Sequence, residues 1–319
     1  MGWSSPPGPW NIWTEVGDVA NDVVVTAKSG PPAGGAKGNI VQESVLDREP
    51  PPADERIVYG GAPEQFADLR LPSGRGLFPA VAFIHGGFWR ARYDLSHAGH
   101  LCAALTAAGF ATWNLEYRRL GNEGGGWPGT FLDVASGLRK LFEIAPRLGI
   151  DPDRIVVKGH SAGGHLALWV AGLGRVAENS PLHAEPLPLR AAVSLAGVID
   201  LRLGWEMWLG DGVVRDLLGG PPEVVPERYA AASPADLVPL GVPQLLIHGA
   251  DDEIVPLSIS QRYADAAAAA GDDVTLLALP NTDHFQVIDP ESPVWPGILA
   301  AVMPLFTRGP RPASPVPDD

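Results

Sequence analysis

Cysteine is nearly missing from this 319-residue chain, where Cys102 stands alone. No intramolecular disulfide can form and no thiolate metal cluster can be built, so Cys102 reads as a small core residue in a helix over Leu95–Ala108. Long apolar runs are missing too: nothing approaches the ~20 consecutive apolar residues of a bilayer span. The start, "MGWSSPPGPWNIW", lacks the basic residues and apolar stretch of an export signal. These absences point to a cytoplasmic protein. Positive charge is scarce, with 23 Lys and Arg against 37 Asp and Glu and a net charge of −14. That field repels phosphates, which argues against nucleic acid and anionic membranes as partners.

What remains is rich in apolar and small residues. At 45% hydrophobic the chain can fill the core of one large α/β domain or two small ones. Residues 1–54 carry "SGPPAGGAKGN" and "REPPPADE", too polar and too rich in Pro and Gly to offset the entropy of ordering. They are expected to form an arm, partly disordered or packed on the domain, with Trp3, Trp10 and Trp13 as its possible anchors. The proline-rich end, 309–319, is expected to be a disordered tail. Between them, over 55–308, short β-prone runs alternate with helical patterns, the signature of a mostly parallel sheet with helices on both faces. Strands are predicted at 79–85, 110–117, 154–159, 191–197, 243–249 and 273–280, after an edge hairpin formed by "RIVYG" and "QFADLRL". In 128–146, Phe131, Val134, Leu138, Leu141, Phe142 and Ala145 recur every three or four residues and predict an amphipathic helix. Further helices are predicted at 257–270 and 295–306. The stretch 199–240 breaks the alternation and is a candidate lid.

Gly159-His160-Ser161-Ala162-Gly163 fits the Gly-x-Ser-x-Gly elbow, which lifts a serine on a sharp strand-to-helix turn. The β-prone Ile155-Val156-Val157 before it and the helical Leu166–Val170 after it supply the required context. Its bland alternative is a glycine-rich turn without chemistry. "HGGFW" at 85–89 follows a predicted strand, where glycines let the main chain approach an oxyanion without a Cβ in the way. Gly86, Gly87 and Phe88 are candidate N–H donors together with Ala162, and His85 is expected to brace the loop. A serine hydroxyl needs a base near neutral pH. His284, on a loop late in the chain, suits that role. Asp252 sits after a predicted strand, where a carboxylate could orient the imidazole, and its spacing from Gly249 and Val255 favours it over Asp251. His160 and His165 are read as packing or pocket-lining residues, and His97, His100 and His183 as surface or helix residues. Trp89, Trp205, Trp208 and Phe285 are candidate walls for a flat apolar group. The glycine loop at 120–130 lacks the Lys-Ser/Thr of a phosphate loop.

In their order, HGGFW, GHSAG, HGADDEIVP and DHF resemble the α/β-hydrolase superfamily, and the HGG loop with its aromatic pair is similar to the kynurenine formamidase (arylformamidase) and small carboxylesterase group. The resemblance implies an eight-stranded, mostly parallel sheet, a Ser161–Asp252–His284 triad and an oxyanion hole from the 86–88 loop and Ala162. The expected activity is cleavage of a small ester or amide through an acyl-enzyme, with no metal or organic cofactor. A ligand-binding protein that keeps the fold without turnover is the alternative, as is a small peptidase, which the His-Gly-x-x-Asp spacing at 248–252 also suits. The oligomeric state stays open, a homodimer among the options.

Overall fold

The fold is that of a computed structural model, which describes residues 44–307. Trp3, Trp10 and Trp13, the rest of the arm before residue 44, and the tail expected at 309–319 lie outside the described residues. Residues 44–54 lie against the sheet domain. Val45 is buried, Arg48 pairs with Asp289 at 2.5 Å and Glu291 at 2.6 Å, and Pro50 packs on Gly99.

Eight strands form one sheet: β1 (Glu55–Val58), β2 (Phe66–Arg70), β3 (Phe78–Ile84), β4 (Ala111–Leu115), β5 (Ile150–His160), β6 (Ala191–Leu195), β7 (Gln244–Gly249) and β8 (Val274–Leu279). Their spatial order is β1-β2-β4-β3-β5-β6-β7-β8. The β1–β2 and β2–β4 pairings are antiparallel and the other five parallel. This is the α/β-hydrolase fold. The central strands are apolar in unbroken runs because both sheet faces are covered, as parallel sheets require. Side-chain alternation sends Ala80, Ala82, Ile84, Ile155 and Val157 to one core, and Val81, Phe83, Val156, Val193 and Leu195 to the other.

The second core is closed by α1 (Gly99–Ala107) and by α9 (Trp295–Val302). The first is closed by α2 (Gly129–Ile144), α3 (Ala162–Ala171) and α8 (Leu257–Ala269). Three predicted helices are shorter than the sequence suggests. Leu95–Ala98 is a 3₁₀ turn capped by Asp94, Ala145–Leu148 is a 3₁₀ turn after α2, and Met303–Phe306 is another after α9. The last two contain Pro146 and Pro304, which lack the N–H that an α-helix interior needs.

Between β6 and β7 the stretch read as a lid folds into α4 (Leu201–Glu206), α5 (Leu209–Leu218), α6 (Pro226–Ala232) and α7 (Pro234–Leu237). Val213, Val214, Leu217, Leu218 and Tyr229 bury their side chains in the same core as the sheet. No described helix is long and apolar enough to cross a membrane.

Candidate active site

β5 runs straight into the elbow. Ser161 adopts φ 55° and ψ −118°, a conformation that costs a non-glycine residue about 1–3 kcal/mol and persists only where its surroundings enforce it. Those surroundings are identifiable. A Cβ on Gly159 would strike the carbonyl of Gly163, and one on Gly163 would strike the carbonyls of Ile84 and His85. The elbow is therefore wedged between its own helix and β3. Main-chain bonds fix it further: Ser161 N–H donates to the Leu195 carbonyl at 2.8 Å, and the Ser161 carbonyl accepts from His165 N–H at 3.1 Å. Ser161 stands at the N-terminus of α3, where the helix dipole favours developing negative charge.

The HGG loop leaves β3 next to the elbow. A Cβ on Gly86 would come within 2.9 Å of the His160 carbonyl and 3.1 Å of Ser161 Cβ, so only glycine brings this main chain so close to the serine. Gly87, Phe88 and Trp89 then take φ of 104°, 51° and 53°. A buried network underpins the turn. His85 contacts Glu116 at 3.0 Å, Tyr117 donates its hydroxyl to the His85 carbonyl at 2.8 Å, and Arg119 reaches Glu116 at 2.5 Å. Burial opposes the Glu116 charge, but His85 and Arg119 outweigh it and hold that carboxyl below its usual range.

Asp252 follows β7 and His284 follows β8. His284 Nδ1–H donates to Asp252 Oδ2 across 2.6 Å, which leaves the His284 Nε2 lone pair free to accept a proton. The other oxygen, Oδ1, accepts the main-chain N–H groups of Ile254 and Val255, both at 2.8 Å. His248 Nε2–H bonds the Val255 carbonyl at 2.8 Å and also stands 3.3 Å from Asp252 Oδ2. Burial works against the Asp252 charge, yet the bonds from His248, His284 and Val255 N–H prevail and hold the carboxyl well below its ordinary value. Asp251 is exposed and takes no part through its side chain in these contacts.

Ser161 and His284 line one cleft, together with Leu46, Gly87, Phe88, Arg92, Tyr93, His97, Ile254 and Phe285. Its walls are mainly apolar and aromatic. Four of the five residues read as substrate-binding stand elsewhere. Trp89 is fully buried, edge-on to His165 at 5.2 Å between ring centres, because it and its neighbour Phe88 point to opposite sides of the turn and Phe88 takes the cleft side. Trp208, also left-handed, is 53% exposed with the Arg215 guanidinium over its ring, and Trp205 is half-buried in α4; neither lines the cleft. His160 is fully buried behind Ser161, bonded to His97 and to the His284 main chain, and does not line the cleft either. Phe285 does line it.

His97, read from sequence as a surface or helix residue, lies in the Leu95–Ala98 3₁₀ turn but is nearly buried and faces the cleft. His248 went unassigned from sequence, although its position four residues before Asp252 was a usable signal. Among the described residues, no group of three or more His, Cys, Asp or Glu is arranged to hold a metal ion.

Residues 67–266 match the BD-FAE family model, which is more than half of the chain. The chain belongs to the BD-FAE family. Esterase LipC of Mycobacterium tuberculosis is 27% identical to this BD-FAE protein over 248 residues, covering 73% of this chain and 60% of LipC. Isoprenylcysteine alpha-carbonyl methylesterase ICME of Arabidopsis thaliana is 26% identical over 242 residues, or 72% of this chain and 55% of that protein. The chain thus spans somewhat more than half the length of the curated relatives it matches. Among solved structures, esterase B from Lactobacillus rhamnosis aligns with a TM-score of 0.69 at 24% identity, covering 82% of this chain and 88% of that one. Esterase Est2 from Thermogutta terrifontis aligns at 0.66 with 23% identity, covering 85% and 98%. At these identities the likeness is one of fold.

Proposed function

We propose that this BD-FAE protein is a serine hydrolase that cleaves small carboxylic esters through an acyl-enzyme, with Ser161 as nucleophile, His284 as base and Asp252 as the group that orients His284. The observation that carries the reading is the Asp252–His284 bond, which leaves Nε2 as the acceptor on an imidazole that shares its cleft with an elbow serine. In the first step His284 Nε2 takes the Ser161 proton while Oγ bonds to the carbonyl carbon and that carbonyl becomes an oxyanion. Main-chain N–H groups of the 86–88 loop and Ala162 are the proposed donors to it. Collapse expels the alcohol, which takes the proton from His284. Water then repeats the sequence on the acyl-enzyme and frees the acid.

Phe88, Tyr93, Phe285, Leu46 and Ile254 on the cleft wall favour a short acyl group or a flat aromatic one. The relatives named as esterases support cleavage of an ester, and a formamide of the arylformamidase kind remains within reach of the same chemistry. The segment 199–240 is proposed to cap this region, its contact being Gly210 against Phe88. The test is a panel of aryl esters, alkyl esters and N-formyl aryl amides with wild-type protein and Ser161→Ala. Hydrolysis of short aryl esters by the wild type alone is expected. A folded wild-type protein inactive on the whole panel would contradict the reading.

A further inference from the structure

Three histidines from distant parts of the chain meet behind the nucleophile. His97 Nε2 lies 2.8 Å from His160 Nδ1, and His160 Nε2 lies 2.9 Å from the main-chain carbonyl oxygen of His284. The ring centres are 5.0 Å apart for His97 and His160, and 4.6 Å for His160 and His284. His160 is fully buried and His97 is 8% exposed.

The proton positions follow from the partners. A carbonyl oxygen only accepts, so His160 Nε2 must carry hydrogen. In a neutral ring His160 Nδ1 is then a lone pair, and His97 Nε2 must donate to it. One peptide carbonyl thus fixes the tautomer of two successive rings. Burial, together with the neighbouring imidazoles, disfavours a charge on either ring: His97 is lowered to about 3, despite the opposing pull of Asp94, and His160 falls well below its ordinary value, despite Asp252. His85, centred 6.4 Å from His97, is the other titratable ring on that side.

We infer that His160 and His97 are positioning residues, a strut of two neutral imidazoles, each protonated on Nε2, that braces the main chain of His284 and so fixes where its ring stands between Asp252 and Ser161. The strut acts on the residue whose side chain must meet both partners, through the peptide carbonyl of that same residue. Misplacement of a catalytic group by about 1 Å can cost on the order of 100-fold in rate. This inference rests on His284 being the base, but its geometry can be read without substrate.

The test has two arms on the full chain. Nitrogen-15 histidine NMR should find His97 and His160 as neutral Nε2–H tautomers throughout pH 5–9. In kinetics on an aryl ester, His160→Leu removes the donor to the His284 carbonyl, whereas the side-chain amide of His160→Gln can replace it. His160→Leu should lower kcat about tenfold or more with KM within about twofold, since His160 does not line the cleft. His160→Gln should recover kcat to within about threefold of wild type. His97→Phe, which removes the donor to His160, supplies a second variant and should also lower kcat. An Nδ1–H tautomer at His160, a folded His160→Leu enzyme with wild-type kcat, or equal losses in the Leu and Gln variants would each overturn the strut. An inactive wild-type protein that shows both Nε2–H tautomers would count against the hydrolase reading and leave the strut standing.

Discussion

His284 donates from Nδ1 to Asp252 Oδ2 across 2.6 Å, joining the loops that follow the last two strands of the sheet. Asp252→Asn would present an amide that can hold the imidazole in the wrong tautomer, with its proton on Nε2 facing the serine. A fall in kcat of about 10⁴-fold on an aryl ester is expected, with the fold retained. Steady-state kinetics and circular dichroism on the same preparation check it.

The same bonds have a consequence in acid. Asp252 is held below its ordinary value of 3.8, so its stabilising contribution is present above that pH and is lost as pH falls through the lower folded-state value. Chemical denaturation at a series of pH values should therefore show a steeper loss of stability below about pH 4 in wild type than in Asp252→Asn.

Lys158 gives the opposite signature in base. Its side chain is fully buried, its Nζ has no hydrogen-bond partner among the described residues, and the Trp295 ring centre is 5.9 Å away. Burial lowers its pKa from 10.5 to about 8. Between those values the unfolded chain holds the proton more tightly than the folded one, so this group's penalty is full below pH 8 and fades as pH rises towards 10.5. Lys158→Met should stabilise the fold at pH 7 by about 3 kcal/mol. The gain over wild type should shrink between pH 8 and 10.5, as read by denaturant titration.

Gly163 packs against the carbonyls of Ile84 and His85, with no room for a methyl group. Gly163→Ala should destabilise the protein by about 3 kcal/mol and displace the elbow. Gly61, where an added Cβ meets nothing within 4 Å, is the control: Gly61→Ala should change stability by under about 1 kcal/mol. Thermal melts of the two variants side by side decide this.

The residues most legible in the sequence were those whose chemistry demands a local pattern. The glycines at 159 and 163 announce the elbow because a side chain there would hit main chain, and the order of β-prone runs places Asp252 and His284 at neighbouring strand ends. Tertiary meetings left no such trace. His97, His160 and His284 meet because the crossovers through α1, α2, α3 and α8 return the chain to the same edge of the sheet, and no spacing along the sequence encodes that. The place of Trp89 differs from the sequence reading for a local reason: adjacent residues of the turn point to opposite sides, Phe88 to the cleft and Trp89 to the core, and the dipeptide alone does not reveal which ring takes which side. Trp205 and Trp208 looked like pocket walls because they fall in the inserted segment, whose inward face is instead supplied by Val213, Val214, Leu217 and Leu218.

Covalent labelling of the folded protein with a fluorophosphonate, followed by peptide mass mapping, tests the central assignment most directly. One adduct on the peptide that contains Ser161, absent from Ser161→Ala, is the predicted result. No adduct at all, or an adduct on another serine that survives in Ser161→Ala, would contradict it.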